Sequence, residues 1–132
     1  MYKGSGGIIY NMNTHKLVIV KGNQGIYSFP KGHFNSNESL EECASREIEE
    51  ETGLHFDTEF LHDCHSIVIY NYVYFIITLN TEHALHVNDT HEIATCSWYG
   101  IDEILCFLYN CNQCVKKVIS NWSNFIKMML ER

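Results

Sequence analysis

Apolar and polar residues alternate in short runs through the first part of the chain. Residues 4–11, GSGGIIYN, and residues 16–22, KLVIVKG, flank the polar NMNTH, which predicts two strands around a turn. Residues 25–30, GIYSFP, predict a third short strand ended by Pro30, whose ring pushes Phe29 toward extended backbone. The next stretch, KGHFNSNE, carries a glycine and two asparagines and predicts a loop. The spacing then changes. Leu40, Cys43, Ala44 and Ile48 recur at three- and four-residue steps and mark the buried face of a helix over Ser39–Thr52. Ser39-Leu-Glu-Glu42 fits a capping box at its start, and Gly53 stands where such a helix stops.

Further on, HFDTEFLHD and HSIVIYNYVYFIITLN are rich in branched and aromatic residues and predict strands, the second folded as a hairpin around Tyr70 to Tyr72. IATCSWYG predicts another strand and IDEILCFLY a helix. In the tail, apolar residues from Val115 to Leu130 trace one amphipathic helix. Strands interleaved with a few helices predict an α+β fold, a mixed sheet with helices on its faces. No repeat, low-complexity segment or linker divides the 132 residues, so a single domain over 1–132 is expected.

Composition adds little to that picture, but charge distribution adds much. With 45% apolar and 19% charged residues the chain is of ordinary globular type. No apolar run reaches the length of a membrane span, and MYKGSGGIIYNMN lacks the core of a secretory signal, so a cytoplasmic protein is expected. The six cysteines are then free thiols, and Cys111-Asn-Gln-Cys114, a lone CxxC, reads as two thiols beside a helix start rather than half a zinc site or a redox pair. The formal net charge is -7, and the segment Glu38–Glu51 holds seven acids against Arg46, which alone gives -6. A charge this local needs a local reason. No cluster of Lys and Arg tracks a nucleic-acid backbone, and Lys116-Lys117, the sole adjacent basic pair, reads as a solvated helix edge.

Glu47, Glu50 and Glu51 stand three and four apart, so their carboxylates share one patch beside the buried face. Such pairs cost roughly 0.2–0.5 kcal/mol each on an exposed helix, a penalty that a merely solvated helix tolerates. Three features argue for more than solvation. The acids lie in the C-terminal half, where the macrodipole disfavours them. A glycine loop feeds directly into the helix. Arg46 is placed to orient Glu42, Glu50 or Glu38. Hard cations such as Mg2+ take carboxylates together with substrate phosphates, so the cluster points to a divalent ion and a phosphorylated substrate.

The spacing resembles the Nudix box, with Gly32, Glu38, Arg46, Glu47, Ile48, Glu50, Glu51, Gly53 and Leu54 filling every position over residues 32–54. On these residues the chain is identified as a member of the Nudix hydrolase family. The resemblance implies an α/β/α sandwich and Mg2+- or Mn2+-dependent hydrolysis of a diphosphate linkage. It implies Glu47, Glu50 and Glu51 as metal ligands, assisted by the Gly32 carbonyl, with Glu38 and Arg46 paired to brace the loop on the helix. Arg46 is thereby placed in the catalytic set. The general base is left among the box glutamates, Glu50 included, and Glu92, which the resemblance brings to the metals from a later loop; His91 beside it is a weaker candidate for touching substrate, a solvated loop histidine being the default.

Substrate is less sharply indicated. FPKGH resembles the lead-in of diadenosine tetraphosphate hydrolases, with Lys31 on a phosphate, as does the pattern His91, Glu92, Trp98, Gly100, Glu103. ESLEECASREIEEETG is similar to cellular and viral mRNA-decapping enzymes. With nine Lys and Arg in all, a dinucleoside polyphosphate is the first expectation, and capped RNA and diphosphoinositol polyphosphates are the alternatives. Tyr27, Phe29, Tyr70 and Tyr72 offer rings for a base, at ~1–3 kcal/mol per stack, although alternating strand aromatics are as readily core pairs. The turn IYNYVY lacks the basic residues that diadenosine tetraphosphate hydrolases tend to carry there. A catalytically silent Nudix-fold binding module is the reading from another class, and the retained carboxylates argue against it.

Overall fold

A computed structural model describes residues 1–130. Its centre is β1 (Gly4–Asn11), buried along its whole length. β1 pairs in parallel with β6 (Tyr72–Leu79), in register from Gly4↔Tyr72 to Asn11↔Leu79. On its other side β1 meets β2 (Lys16–Gly22) and β4 (Lys31–His33), both antiparallel. β2 carries β3 (Tyr27–Ser28) and runs antiparallel to β7 (Ile93–Gly100). β5 (Ser66–Ile69) closes the far edge against β6. The two strands join through Tyr70 and Asn71, with φ of 48° and 70°, the left-handed pair that a tight two-residue hairpin requires.

Alternation along these strands creates two cores. Ile9, Val18, Val73, Phe75 and Ile77 point to one face, where α1 (Leu40–Thr52) and α2 (Thr58–His62) supply Ala44, Ile48 and Leu61. Ile8, Tyr10, Leu17, Ile19, Tyr74 and Ile76 point to the other. There α3 (Ile101–Cys106), α4 (Gln113–Ser120) and α5 (Trp122–Leu130) bring Ile104, Val115, Val118, Phe125 and Met129. The result is the mixed sheet with helices on both faces, an α/β/α sandwich. Among the described residues no helix is long and apolar enough to cross a membrane.

Several elements differ from the sequence expectation. Within HFDTEFLHD the strand is replaced by α2, because Phe56, Phe60 and Leu61 stand four and five apart. Phe56 stacks on Phe60 at 5.6 Å, while Leu61 is fully buried beneath α1. The loop after Pro30 opens with β4, whose Gly32 pairs with Ser5. The tail is two helices. Asn121 breaks it at φ -116°, its Nδ2 donating to the Lys117 carbonyl at 3.0 Å, and Trp122 thereby meets Tyr10 edge-on at 5.7 Å. The α3 helix stops at Cys106 and continues only as a 3-10 turn over Leu108–Asn110. None of the six cysteines forms a disulfide, and burial pushes the Cys111 thiol up to about 11, which leaves it unreactive.

Candidate active site

The first link is α1 itself. The Ser39 hydroxyl accepts from the Glu42 N–H at 3.1 Å, and the Glu42 carboxylate accepts from the Ser39 N–H at 2.9 Å. At the other end Gly53 takes φ 78° and donates its N–H to the Glu49 carbonyl. A side chain on Gly53 would also come within 2.8 Å of the His86 carbonyl oxygen. These two caps fix the helical phase. That phase turns Glu47 and Glu51 inward with Cys43, Ala44 and Ile48, leaving them 7% and 5% exposed.

Burial of two acids one turn apart sets the electrostatics. Desolvation, then the Glu50 charge, lifts the Glu47 carboxyl to about 7. Desolvation, then the Glu47 charge, lifts Glu51 to about 8. Glu51 Oε1 accepts the Lys31 N–H at 3.2 Å. Glu47 lies flat against β4, where a Cβ on Gly32 would stand 1.9 Å from its Oε2, so only glycine leaves this space.

Arg46 organises the rim. Its Nε and Nη2 bind both oxygens of Glu38 at 2.7 and 2.8 Å, and Nη2 also donates to the His33 carbonyl at 2.9 Å. The guanidinium holds the Glu38 carboxyl below the usual carboxylate range. Nη1 reaches Glu50 at 3.3 Å and Glu47 at 3.5 Å. Of the partners expected for Arg46, Glu42 is not among these because it closes the capping box instead.

A second loop is fastened to the end of α1. His86 N–H donates to the Thr52 carbonyl at 2.8 Å, and Asn88 and Asp89 N–H donate to the Glu50 carbonyl at 2.9 and 2.8 Å. The Asn88 side chain adds a bond to the Glu49 carbonyl at 2.9 Å. These donors satisfy the carbonyls that a helix end leaves bare. The same loop delivers Glu92, whose carbonyl accepts the Asn23 N–H at 2.9 Å. No sequence motif announces Asn88. Its role follows from where the loop lies.

The resulting cleft encloses about 520 Å3, within the range of small-ligand sites. It brings together Lys31, Gly32, Arg46, Glu47, Glu50, Glu51, Tyr72 and Glu92 from the sequence expectation, and adds His33, Asp89 and Asn112. Lys31 Nζ lies 4.8 Å from the Tyr72 ring centroid, and the His33 imidazole stacks on the same ring at 5.9 Å. The other proposed platforms lie elsewhere. Phe29 is wholly buried, edge-on to Tyr74, so it has no face for a base and belongs to the core. Tyr27 is stacked on Phe107 at 4.0 Å. Tyr70 sits in the β5–β6 turn, outside the cleft lining, and His91 is an exposed loop residue that also stands outside it.

As placed, among the described residues, no three acidic, His or Cys side chains converge tightly enough to hold a metal ion. Glu50 is drawn to Arg46 instead. The donor set nevertheless fits a hard divalent cation. Two buried carboxylates have raised proton affinity, Glu47 standing 3.5 Å from the Arg46 guanidinium, and the absence of a Cβ at Gly32 is what lets the Glu47 carboxylate lie against β4. A cation there would balance the charge that burial leaves exposed to its neighbours.

Comparison with known proteins shows the family and the fold. The family model described as the NUDIX domain matches residues 3–120. The m7GpppN-mRNA hydrolase of Saccharomyces cerevisiae is 30% identical over 114 residues, covering 81% of this chain but only 12% of that protein's length. An Ap4A hydrolase binary complex from C. elegans superposes with a TM-score of 0.69 at 17% identity, over 93% of this chain and 97% of that one. A bifunctional NMN adenylyltransferase/ADP ribose pyrophosphatase from Francisella tularensis, complexed with AMP and a Mn ion, gives a TM-score of 0.69 at 12% identity, over 92% and 42% of the two chains. The two structural likenesses are likenesses of fold.

Proposed function

The chain belongs to the Nudix domain family, and from that premise we propose that it hydrolyses a phosphoanhydride bond in a nucleoside-diphosphate-linked compound. The observation that carries this reading is the burial of Glu47 and Glu51 one turn apart, with Glu50 at the rim and the Arg46 guanidinium reaching Glu47 and Glu50. Glu47, Glu50, Glu51 and the Gly32 carbonyl are the groups that would hold Mg2+ or Mn2+. Such an ion, when bound, neutralises phosphate oxygens and makes a bound water acidic.

The remaining roles fall to the chain. Arg46 ties α1 to the loop through Glu38 and the His33 carbonyl and keeps Glu50 oriented. Lys31, held over Tyr72 at the cleft wall, offers its ammonium to a phosphate. Glu92 lines the cleft and, among the described residues, is not paired with Arg46, so it is the better placed proton acceptor for an attacking water. Glu50, tethered to Arg46, is the other candidate.

For substrate the reading is a 5′,5′-polyphosphate-bridged dinucleoside. The modest cleft and the nine Lys and Arg favour a free dinucleotide of the diadenosine tetraphosphate type. The 30% identity to the yeast mRNA hydrolase favours the same linkage at the end of an RNA. A panel with Mg2+ and Mn2+ separates these: diadenosine polyphosphates, free cap dinucleotide, capped RNA, nucleotide sugars and diphosphoinositol polyphosphates. Cleavage of a bridged dinucleotide, lost in Glu47→Gln, is the expected result. Nucleotide binding with no cleavage of any member would make the chain a binding module instead, and cleavage confined to the inositol compounds would reject the bridged dinucleoside.

A further inference from the structure

Tyr70 and Tyr109 are 57% and 77% exposed, unusual for such large rings. They border one shallow hollow of about 580 Å3, together with Gln113, Lys116 and Lys117. Lys117 Nζ lies 5.3 Å from the Tyr70 ring centroid, a second copy of the Lys31–Tyr72 arrangement across the same turn. No acid lines the hollow, in a chain of 16 acids, and among the described residues neither Lys116 nor Lys117 has a carboxylate within ion-pair distance. The hollow also lies on the chain segments that reach the cleft. Tyr72 and Asn112 line the cleft, and Tyr70 and Gln113, their near neighbours in the chain, line the hollow.

Open aromatic faces beside ammonium groups suit a single strand, whose bases stack on rings while its phosphates meet the cations. We infer that this hollow holds the first nucleotides of a single-stranded RNA whose 5′,5′-bridged end occupies the cleft. This rests on the hydrolase reading above and extends it from the bridged linkage to the strand behind it. Two rings and two ammoniums beyond the turn exceed what the second nucleoside of a free dinucleotide would engage. They also revise the reading of Lys116-Lys117 as a merely solvated edge.

The test is fluorescence anisotropy of a short uncapped single-stranded RNA on the full chain, followed by kinetics on capped RNA and on free cap dinucleotide. Tyr70→Asn, which keeps a residue tolerant of the left-handed backbone at φ 48°, combined with Tyr109→Ala should weaken binding of the uncapped RNA about tenfold or more. The KM for capped RNA should rise by a similar factor relative to that for the dinucleotide. Lys116→Ala with Lys117→Ala should make the slope of log K against log salt shallower by about 1.4, the single-strand value for two phosphates. Unchanged melting temperatures keep folding apart from binding. Failure of the wild-type protein to bind the RNA, or equal binding by the variants, overturns the inference. So does a KM that rises equally for the dinucleotide, which would give the hollow to its second nucleoside. RNA binding through these residues with no cleavage of any bridged compound leaves the hollow standing and removes the hydrolase reading.

Discussion

Replacing Glu51 by Gln keeps the shape of the side chain and removes its charge. In the fold this carboxyl is 5% exposed and lifted from 4.5 to about 8, chiefly by desolvation and then by Glu47. Between those values the folded chain binds a proton that the unfolded chain has released, so stability falls as pH rises through this window. At about 1.4 kcal/mol per tenfold change, the full gap corresponds to roughly 5 kcal/mol against the ionised form. The amide of Gln has its own cost, about 1–3 kcal/mol if its N–H groups go unpaired, while its oxygen still accepts the Lys31 N–H. A net gain of about 2 kcal/mol or more remains.

The assay is thermal melting in EDTA and in Mg2+. In EDTA at about pH 8 the Glu51→Gln variant should melt several degrees above the wild type, and the difference should close by about pH 5. In Mg2+ the order should reverse. A ligand at about 1,000 times its Kd stabilises by about 4.1 kcal/mol, enough to offset the variant's advantage, and only the wild type retains the carboxylate that collects it. A variant less stable than the wild type in EDTA at about pH 8, or one that gains as much from Mg2+, would refute the claim that buried charge is held there for a cation.

Other perturbations follow from the same contacts. Gly32→Ala places a Cβ 1.9 Å from Glu47 Oε2, so it should displace that carboxylate and abolish the Mg2+-dependent rise in melting temperature. Arg46→Lys loses the two-pronged hold on Glu38 and the His33 carbonyl, and should lower stability by about 1–3 kcal/mol in urea titrations and turnover more than tenfold. Asn88→Ala removes one bond to the Glu49 carbonyl, and should speed amide exchange over the loop carrying Glu92 while lowering kcat more than KM. Leu61→Ala, beneath α1, should cost about 2–5 kcal/mol, which tests whether α2 is packed as a helix against that core.

Local signals carried most of the fold. The strand pair of β1 and β2, the capped helix from Ser39 and the hairpin at Tyr70 were all readable, because each is decided by neighbours in sequence: a capping box, an alternation, a turn. The misread pieces were decided at a distance. HFDTEFLHD has strand-like composition, but Leu61 is drawn under Ala44 and Ile48, which only a helical turn permits. Phe29 reads as a platform in the sequence, but the fold sets it edge-on to Tyr74 with no exposed surface. Lys31–His33 pairs as β4 only because Gly4 and Gly6 of β1 lie opposite.

The same division separates chemistry from selectivity. Every group proposed to handle the phosphoanhydride, apart from Lys31 and Glu92, comes from the 23 residues from Gly32 to Leu54, and helix periodicity alone gathers the box acids. The surfaces that would choose a substrate have no such compactness. Tyr72 and Asn112 meet at the cleft, and Tyr70, Tyr109 and Lys117 meet outside it, although the chain places them tens of residues apart. A motif therefore states what reaction this site is built for, whereas the identity of the substrate is written in the side chains that the β5–β6 turn and the start of α4 bring to one wall. Substitutions on that wall should change which bridged compound is favoured while leaving the gain in stability from Mg2+ intact, and substitutions at Glu47 or Glu51 should do the opposite.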